Sequence, residues 1–207
     1  MHHEHCVDLG FAEARLPAGT HICQIYSEAE ERDHALREYL LRGLQTGERS
    51  ACFSENITEE ELGSYFAEFG ISLSEAKKSG AFTLAPTSSV YFHDNRFEPE
   101  RMLGLLERYH QQSMDEGYSG ARVIGEMSPE IENVEGGSRL LEYESRVSML
   151  LRQHPVTAVC QYNAHDFDGG TIMEVLKVHP MMIVRGSVVH NPFFIPPEEY
   201  LKLNQTT

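Results

Sequence analysis

The chain has 207 residues, 41% of them apolar, with 9 Pro, 16 Gly and no long polar tract, which suits one α/β core and argues against a second independent domain. Its 17 basic and 32 acidic residues leave a formal charge of -15, which repels phosphate backbones and anionic lipid and argues against direct nucleic-acid binding. No apolar run approaches the roughly 18 residues of a membrane helix, and MetHisHisGluHisCys lacks the regions of a secretion signal, so a cytoplasmic protein with no membrane partner is expected.

Strand and helix signals alternate along the chain. After a lead-in or tail at 1–19, HisIleCysGlnIleTyr at 21–26 reads as a strand, and 28–45 reads as a helix with Leu36, Leu40 and Leu44 on one face. Gly47 supplies a turn into a strand at 50–54. A helix over 58–69 follows, with Thr58 as N-cap and Glu61 completing a capping box. A short helix at 73–78 and a strand at 81–85 precede a polar and aromatic loop, 87–96, and a helix at 99–116. The next strand is 121–126, followed by a loop with Pro129, Gly136 and Gly137 and an amphipathic helix at 139–153. The segment 156–162 is almost continuously apolar, as a central parallel strand covered on both faces should be. A helix at 170–178 ends at His179-Pro180, a strand pair turns about Gly186, and a last helical turn follows Pro196-Pro197. This alternation predicts a three-layer α/β/α fold with a mostly parallel central sheet and an antiparallel pair near the C-terminus. No internal repeat is present.

In an open parallel sheet, ligands bind beyond the carboxyl ends of the strands. That rule selects Tyr26 and Ser27 after the first strand and Glu55 and Asn56 after the second. After the later strands it selects Glu126 and Met127, then Tyr162 and Asn163. Together they could surround a small, partly apolar molecule and fix it with a few hydrogen bonds, while helix capping and loop packing are the structural alternative for each one. Glu126 stands out, because a carboxylate directly after an apolar strand must be solvated, paired or used.

Other chemistry is marked mostly by what is missing. Neither a GlyXSerXGly elbow nor a HisGluXXHis pair occurs, so no catalytic residue is assigned. GluTyrGlu at 142–144 puts two acids into the helix at 139–153, Glu142 within reach of Arg139 and Arg146, and reads as surface electrostatics, while His179 reads as a helix C-terminal cation or a hydrogen-bonded turn residue. Cys23, Cys52 and Cys160 lie in apolar strands and read as small hydrophobes, not as disulfide partners or zinc ligands. The HisHisGluHisCys cluster at the N-terminus has donors for a transition metal, but its place favours a free tail, and no cofactor or metal is assigned.

Two resemblances follow from the quoted segments. The helix, glycine turn and buried strand spanning 35–56 resemble the part of RecA-like, KaiC-type ATPases that follows the phosphate-binding loop. That loop is missing here, because SerGluAlaGluGluArgAspHis at 27–34 has neither glycine nor a Lys-Ser/Thr pair, and Glu28, Glu30, Glu31 and Asp33 stand where the anions would sit. More of the chain resembles the MEDS family, the methanogen/methylotroph, dichloromethane-repressor sensory domain. Its matching pieces are HisIleCysGlnIleTyr at 21–26, GlyLeuGlnThrGlyGlu at 43–48 and ArgValIleGlyGluMetSer at 122–128. LeuGluTyrGlu at 141–144, CysGlnTyrAsn at 160–163, HisPro at 179–180 and AsnProPhePhe at 191–194 complete the pattern. The chain departs from it in carrying Pro129 where an aromatic is common, and in containing no Trp.

The resemblance implies a degenerate RecA/KaiC-like fold over 20–207 as one sensory domain. It also implies a sensor of a small organic, hydrocarbon-derived ligand that signals through a histidine kinase or transcriptional regulator; with no output domain after the AsnPro motif, a stand-alone sensor acting through a partner is expected. A metal- or nucleotide-dependent enzyme on the same scaffold and a pure interaction module are the alternatives. The apolar closing strand pair, with Phe193 and Phe194, could mediate a homodimer.

Overall fold

The computed structural model describes residues 6–204, so His2, His3, Glu4 and His5 of the N-terminal cluster lie outside the described residues. The first 12 of them hold a hairpin of β1 (Cys6–Asp8) and β2 (Arg15–Pro17). Then come β3 (His21–Tyr26), α1 (Ala29–Gln45), β4 (Arg49–Phe53), α2 (Glu59–Ala67), α3 (Leu73–Lys78) and β5 (Phe82–Ala85). A one-turn helix, α4 (Thr87–Tyr91), leads into a small hairpin of β6 (Phe92–His93) and β7 (Arg96–Phe97), and then into α5 (Pro99–Asp115). The second half contains β8 (Ala121–Glu126), α6 (Leu140–Leu150), β9 (Val156–Asn163), α7 (Gly169–Val178), β10 (Met181–Val184), β11 (Ser187–His190) and α8 (Pro197–Asn204).

Seven strands form the central sheet in the order β11-β10-β3-β9-β8-β4-β5, parallel throughout except for the closing β10–β11 pair. The antiparallel turn is at Arg185 and Gly186, both with positive φ, as a two-residue hairpin requires. Side chains alternate between the two faces because successive Cβ atoms on a strand point oppositely. Ile22, Cys52, Ile124 and Val159 pack beneath α1 with Leu36, Tyr39 and Leu40. Cys23, Val123, Ala158 and Tyr162 join the opposite core with Met102, Leu106, Tyr143, Val147 and Val175 of α5, α6 and α7. Both layers are therefore filled.

The capping box forms, with Thr58 and Glu61 satisfying each other's backbone N–H. Glu142 joins the surface ion network with Arg139 and Arg146, at 2.8 Å and 3.0 Å, but Glu144, two residues on and so on the opposite side of the helix, is fully buried and is no surface charge. Residues 87–96 do more than loop: Asp94 and Asn95 accept positive φ, which closes the β6–β7 hairpin, a turn signal left unread in the sequence. Likewise α6 is shorter than its amphipathic pattern, because Arg139 belongs to a 3-10 turn and 151–153 leave the helix as turns. The connection from β3 to α1 is only Ser27 and Glu28, and Glu28 makes no side-chain cap. Two residues provide no loop of converging N–H groups such as a triphosphate cradle needs. Among the described residues no helix is long and apolar enough to cross a membrane.

Candidate functional site

The strand ends converge on Glu126. This carboxylate leaves β8 on the α1 side, almost completely buried, and accepts hydrogen bonds from Tyr26 Oη, from Ser54 Oγ at 2.6 Å and from Asn56 Nδ2 at 2.9 Å. Arg32 of α1 adds an ion pair, Nη1 to Oε1 at 3.2 Å, and is itself held by Asp33 at 2.6 Å. Burial alone would raise the Glu126 pKa, but the donors from Ser54, Tyr26 and Asn56, with Arg32, outweigh it and hold the group below the ordinary carboxylate value. Burial and the neighbouring carboxylate push the Tyr26 phenol upward, so it stays a neutral donor.

Of the eight strand-end residues selected from sequence, Tyr26, Asn56 and Glu126 thus meet directly. Ser27 is exposed, and Glu55 accepts the backbone N–H of Ser88 at 2.8 Å. Met127 is buried in the core beneath α5 and α6, and Asn163 accepts the N–H of His165. Tyr162 points into the opposite layer, where its hydroxyl donates to Glu144 Oε1 at 2.6 Å.

That second contact belongs to a polar cluster that strand-end reasoning missed. His21 of β3, Cys160 of β9, Glu144 of α6 and His179 after α7 are all buried and face one another between the sheet and the helices. His21 Nε2 lies 3.3 Å and His179 Nε2 lies 3.6 Å from Glu144 Oε2, and the imidazole centroids are 4.1 Å apart. Burial, with the neighbouring His21, depresses the His179 pKa to about 3, so the cationic reading of this residue fails: it is a neutral, hydrogen-bonded turn residue. Burial also pushes the Cys160 thiol well above its ordinary value. A signal for the cluster did exist in sequence, since each of the four residues lies in a segment quoted for the MEDS resemblance.

A proton count gives a testable consequence for His179. Unfolded His179 takes a proton near pH 6.5 whereas folded His179 resists it down to about 3, so stability drops as the pH falls through that window. One such group corresponds to a slope of about 1.4 kcal/mol per pH unit. Urea unfolding at stepped pH is expected to show a flatter acid limb in His179→Gln, and equal slopes in the two proteins would contradict the assignment.

Next to the cluster is a small internal cavity of about 20 Å³ that touches Glu144 and Cys160 and is otherwise walled by apolar and aromatic groups, among them Phe53, Tyr91 and Tyr143. Phe53, Met102, Leu106 and Val123 separate it from a groove of about 350 Å³ between α5 and the sheet, completed by Val90, Leu105 and Tyr109. The four shared side chains form the wall between the surface groove and a cavity that touches a buried carboxylate and thiol.

Comparison with known proteins agrees with this architecture. The sequence profile of the family described as MEDS, "MEthanogen/methylotroph, DcmR Sensory domain", matches residues 20–180. Among solved structures, a KaiC-like protein from Pyrococcus horikoshii is similar at 14% identity, with 86% of this chain and 79% of that one covered and a TM-score of 0.60. The flagellar accessory protein FlaH from Methanocaldococcus jannaschii is similar at 12% identity, 84% and 76% coverage and a TM-score of 0.57. An uncharacterised Pyrococcus horikoshii protein, solved with an unknown peptide, is similar at 13% identity, 81% and 77% coverage and a TM-score of 0.58. These identities speak for the fold alone. Curated protein sequences yield no match.

Proposed function

We infer a receptor function from one premise: this chain belongs to the MEDS family of sensory domains. The ligand is a small, largely apolar organic molecule, and the groove between α5 and the sheet is where it enters. A single observation carries this reading, namely that the groove shares Phe53, Met102, Leu106 and Val123 with the internal cavity, whose lining includes Glu144 and Cys160. Burial of apolar surface would provide the affinity, and the polar end would orient one heteroatom. No covalent step is needed.

Occupancy must favour one of two conformations to become a signal. Tyr91 and Gly125 line the cavity, Thr87 at the start of α4 donates to the Glu126 carbonyl at 2.8 Å, and Glu126 ties down Arg32 of α1. A molecule that displaces Tyr91 therefore pulls on α4 and on the Glu126 contacts, and the segments 86–97 and 128–138 are the elements that move. In this reading the strand-end residues Tyr26, Asn56 and Glu126 relay the signal to a partner kinase or regulator in the cytoplasm.

Thermal unfolding and native mass spectrometry with a panel of chloromethanes and short alcohols test the groove. A ligand at 100 times its Kd stabilises by about 2.7 kcal/mol. Leu105→Glu, at a half-buried groove position, is expected to abolish that shift while leaving the unliganded protein folded. A shift that persists in Leu105→Glu would move the ligand elsewhere.

A further inference from the structure

His21, Glu144, Cys160 and His179 each offer one donor atom, and the four atoms lie within 4.8 Å of one another. The separations are 3.3 Å and 3.6 Å from the two imidazole Nε2 atoms to Glu144 Oε2, 3.4 Å from His21 Nε2 to Cys160 Sγ and 3.8 Å from Sγ to Oε2. A tetrahedral centre with bonds of about 2.0–2.1 Å to nitrogen and oxygen and about 2.3 Å to sulfur sets its donors roughly 3.3–3.6 Å apart. These four separations are already close to those distances, and all four donor atoms lie within 4.8 Å of one another.

The hydrogen bonding around them leaves a gap at the centre. His179 Nδ1 contacts the Val175 carbonyl at 2.8 Å, and a carbonyl cannot donate, so Nδ1 carries the proton and Nε2 turns a bare lone pair inward. That atom is fully buried and has no hydrogen-bond partner. His21 Nε2 lies within reach of both Cys160 Sγ and Glu144 Oε2, and the Cys160 thiol donates to Glu144 Oε2. A buried lone pair with no donor is costly unless a cation fills the space in front of it.

We propose that these four residues bind one divalent transition metal of the zinc class in a tetrahedral site of two nitrogens, one oxygen and one sulfur. Two neutral imidazoles, a carboxylate and a thiolate cancel the charge of the dication, which permits its complete burial. Outer contacts of the kind that orient metal ligands are in place: His179 to Val175, His21 Nδ1 to Ser148 Oγ at 2.9 Å, and Tyr162 to Glu144. On metal entry the Cys160 thiol releases its proton to solvent. The site holds whether or not an organic ligand occupies the groove.

Because His2, His3 and His5 could bind metal by themselves, the test uses the full chain carrying His2→Ala, His3→Ala and His5→Ala, titrated with Co²⁺ and then Zn²⁺. One equivalent of Co²⁺ is expected to give the visible bands of a tetrahedral ion and a near-ultraviolet thiolate charge-transfer band, both lost on adding Zn²⁺. Cys160→Ser, shown folded by circular dichroism, should lose the charge-transfer band, and His179→Gln should weaken binding at least about 100-fold. Metal uptake that disappears with the N-terminal histidines, or a Co²⁺ spectrum unchanged in Cys160→Ser, overturns the site. If either variant unfolds, Zn²⁺ should still raise the Tm of the triple-alanine chain and a chelator should reverse it; no shift in Tm overturns the proposal as well.

Discussion

Arg122→Ala is expected to lower stability by about 3–5 kcal/mol and the Tm by roughly 6–20 °C. Arg122 is the second residue of β8, with its side chain 0% exposed. Its Nε is paired with Glu48, Nη1 donates to the Tyr39 carbonyl at 2.8 Å, Nη2 donates to the Asp8 carbonyl at 3.1 Å, and the guanidinium lies 4.7 Å from the Tyr39 ring centroid. One side chain thus ties the sheet to α1 and to the β1–β2 hairpin. Gly43 makes room for it, since a Cβ there would stand 2.6 Å from Arg122 Cδ and 2.4 Å from Ser50 Oγ. Truncating Arg122 buries the Glu48 carboxylate without its guanidinium and removes a donor from two carbonyls, which costs more than the pair itself contributes. Arg122→Met combined with Glu48→Leu should therefore be much milder than Arg122→Ala. Urea unfolding compares them, and a loss below about 1 kcal/mol in Arg122→Ala would contradict the argument.

Glu126→Ala should cost roughly 3 kcal/mol, or about 6–12 °C in Tm, for a related reason. It strands the buried Arg32 guanidinium and leaves Tyr26, Ser54 and Asn56 without their common acceptor. Asp33 still holds Arg32, which keeps the loss below that of a fully orphaned charge. Glu126→Gln keeps an acceptor and should lose about half as much. Because the folded pKa of Glu126 lies below the unfolded value, its stabilisation is complete above about pH 4.5 and disappears as the pH falls through the folded value. A double-mutant cycle with Arg32→Ala measures the coupling; additive losses would show that the ion pair contributes nothing of its own. The same variants examine signalling, since they should break transmission to a partner while leaving the groove of Leu105 able to bind.

Local pattern was enough for most of the architecture. Period-two and period-four spacing, the Thr58–Glu61 capping box, Gly47 and Gly186 placed nearly every element, and the unbroken apolar run 156–162 identified the central strand. The absence of glycines between Tyr26 and Ala29 already excluded a phosphate cradle, and the crevice rule brought out Tyr26, Asn56 and Glu126 together. Each of these features depends on residues close in sequence or on one topological rule, so they can be read without coordinates. The buried cluster could not be assembled this way. His21, Glu144, Cys160 and His179 come from two strands, a helix and a turn, and only the parallel register that sets Cys23 beside Cys160, with α6 packed beneath, brings their donor atoms to one point. Arg32 closing on Glu126, Arg122 reaching two distant carbonyls, and the groove shared by α5 and the sheet likewise arise from contacts between segments about 70 or more residues apart or from the packing of whole elements. Periodicity specifies which face of an element is buried, but which buried faces meet is decided by the packing of the layers.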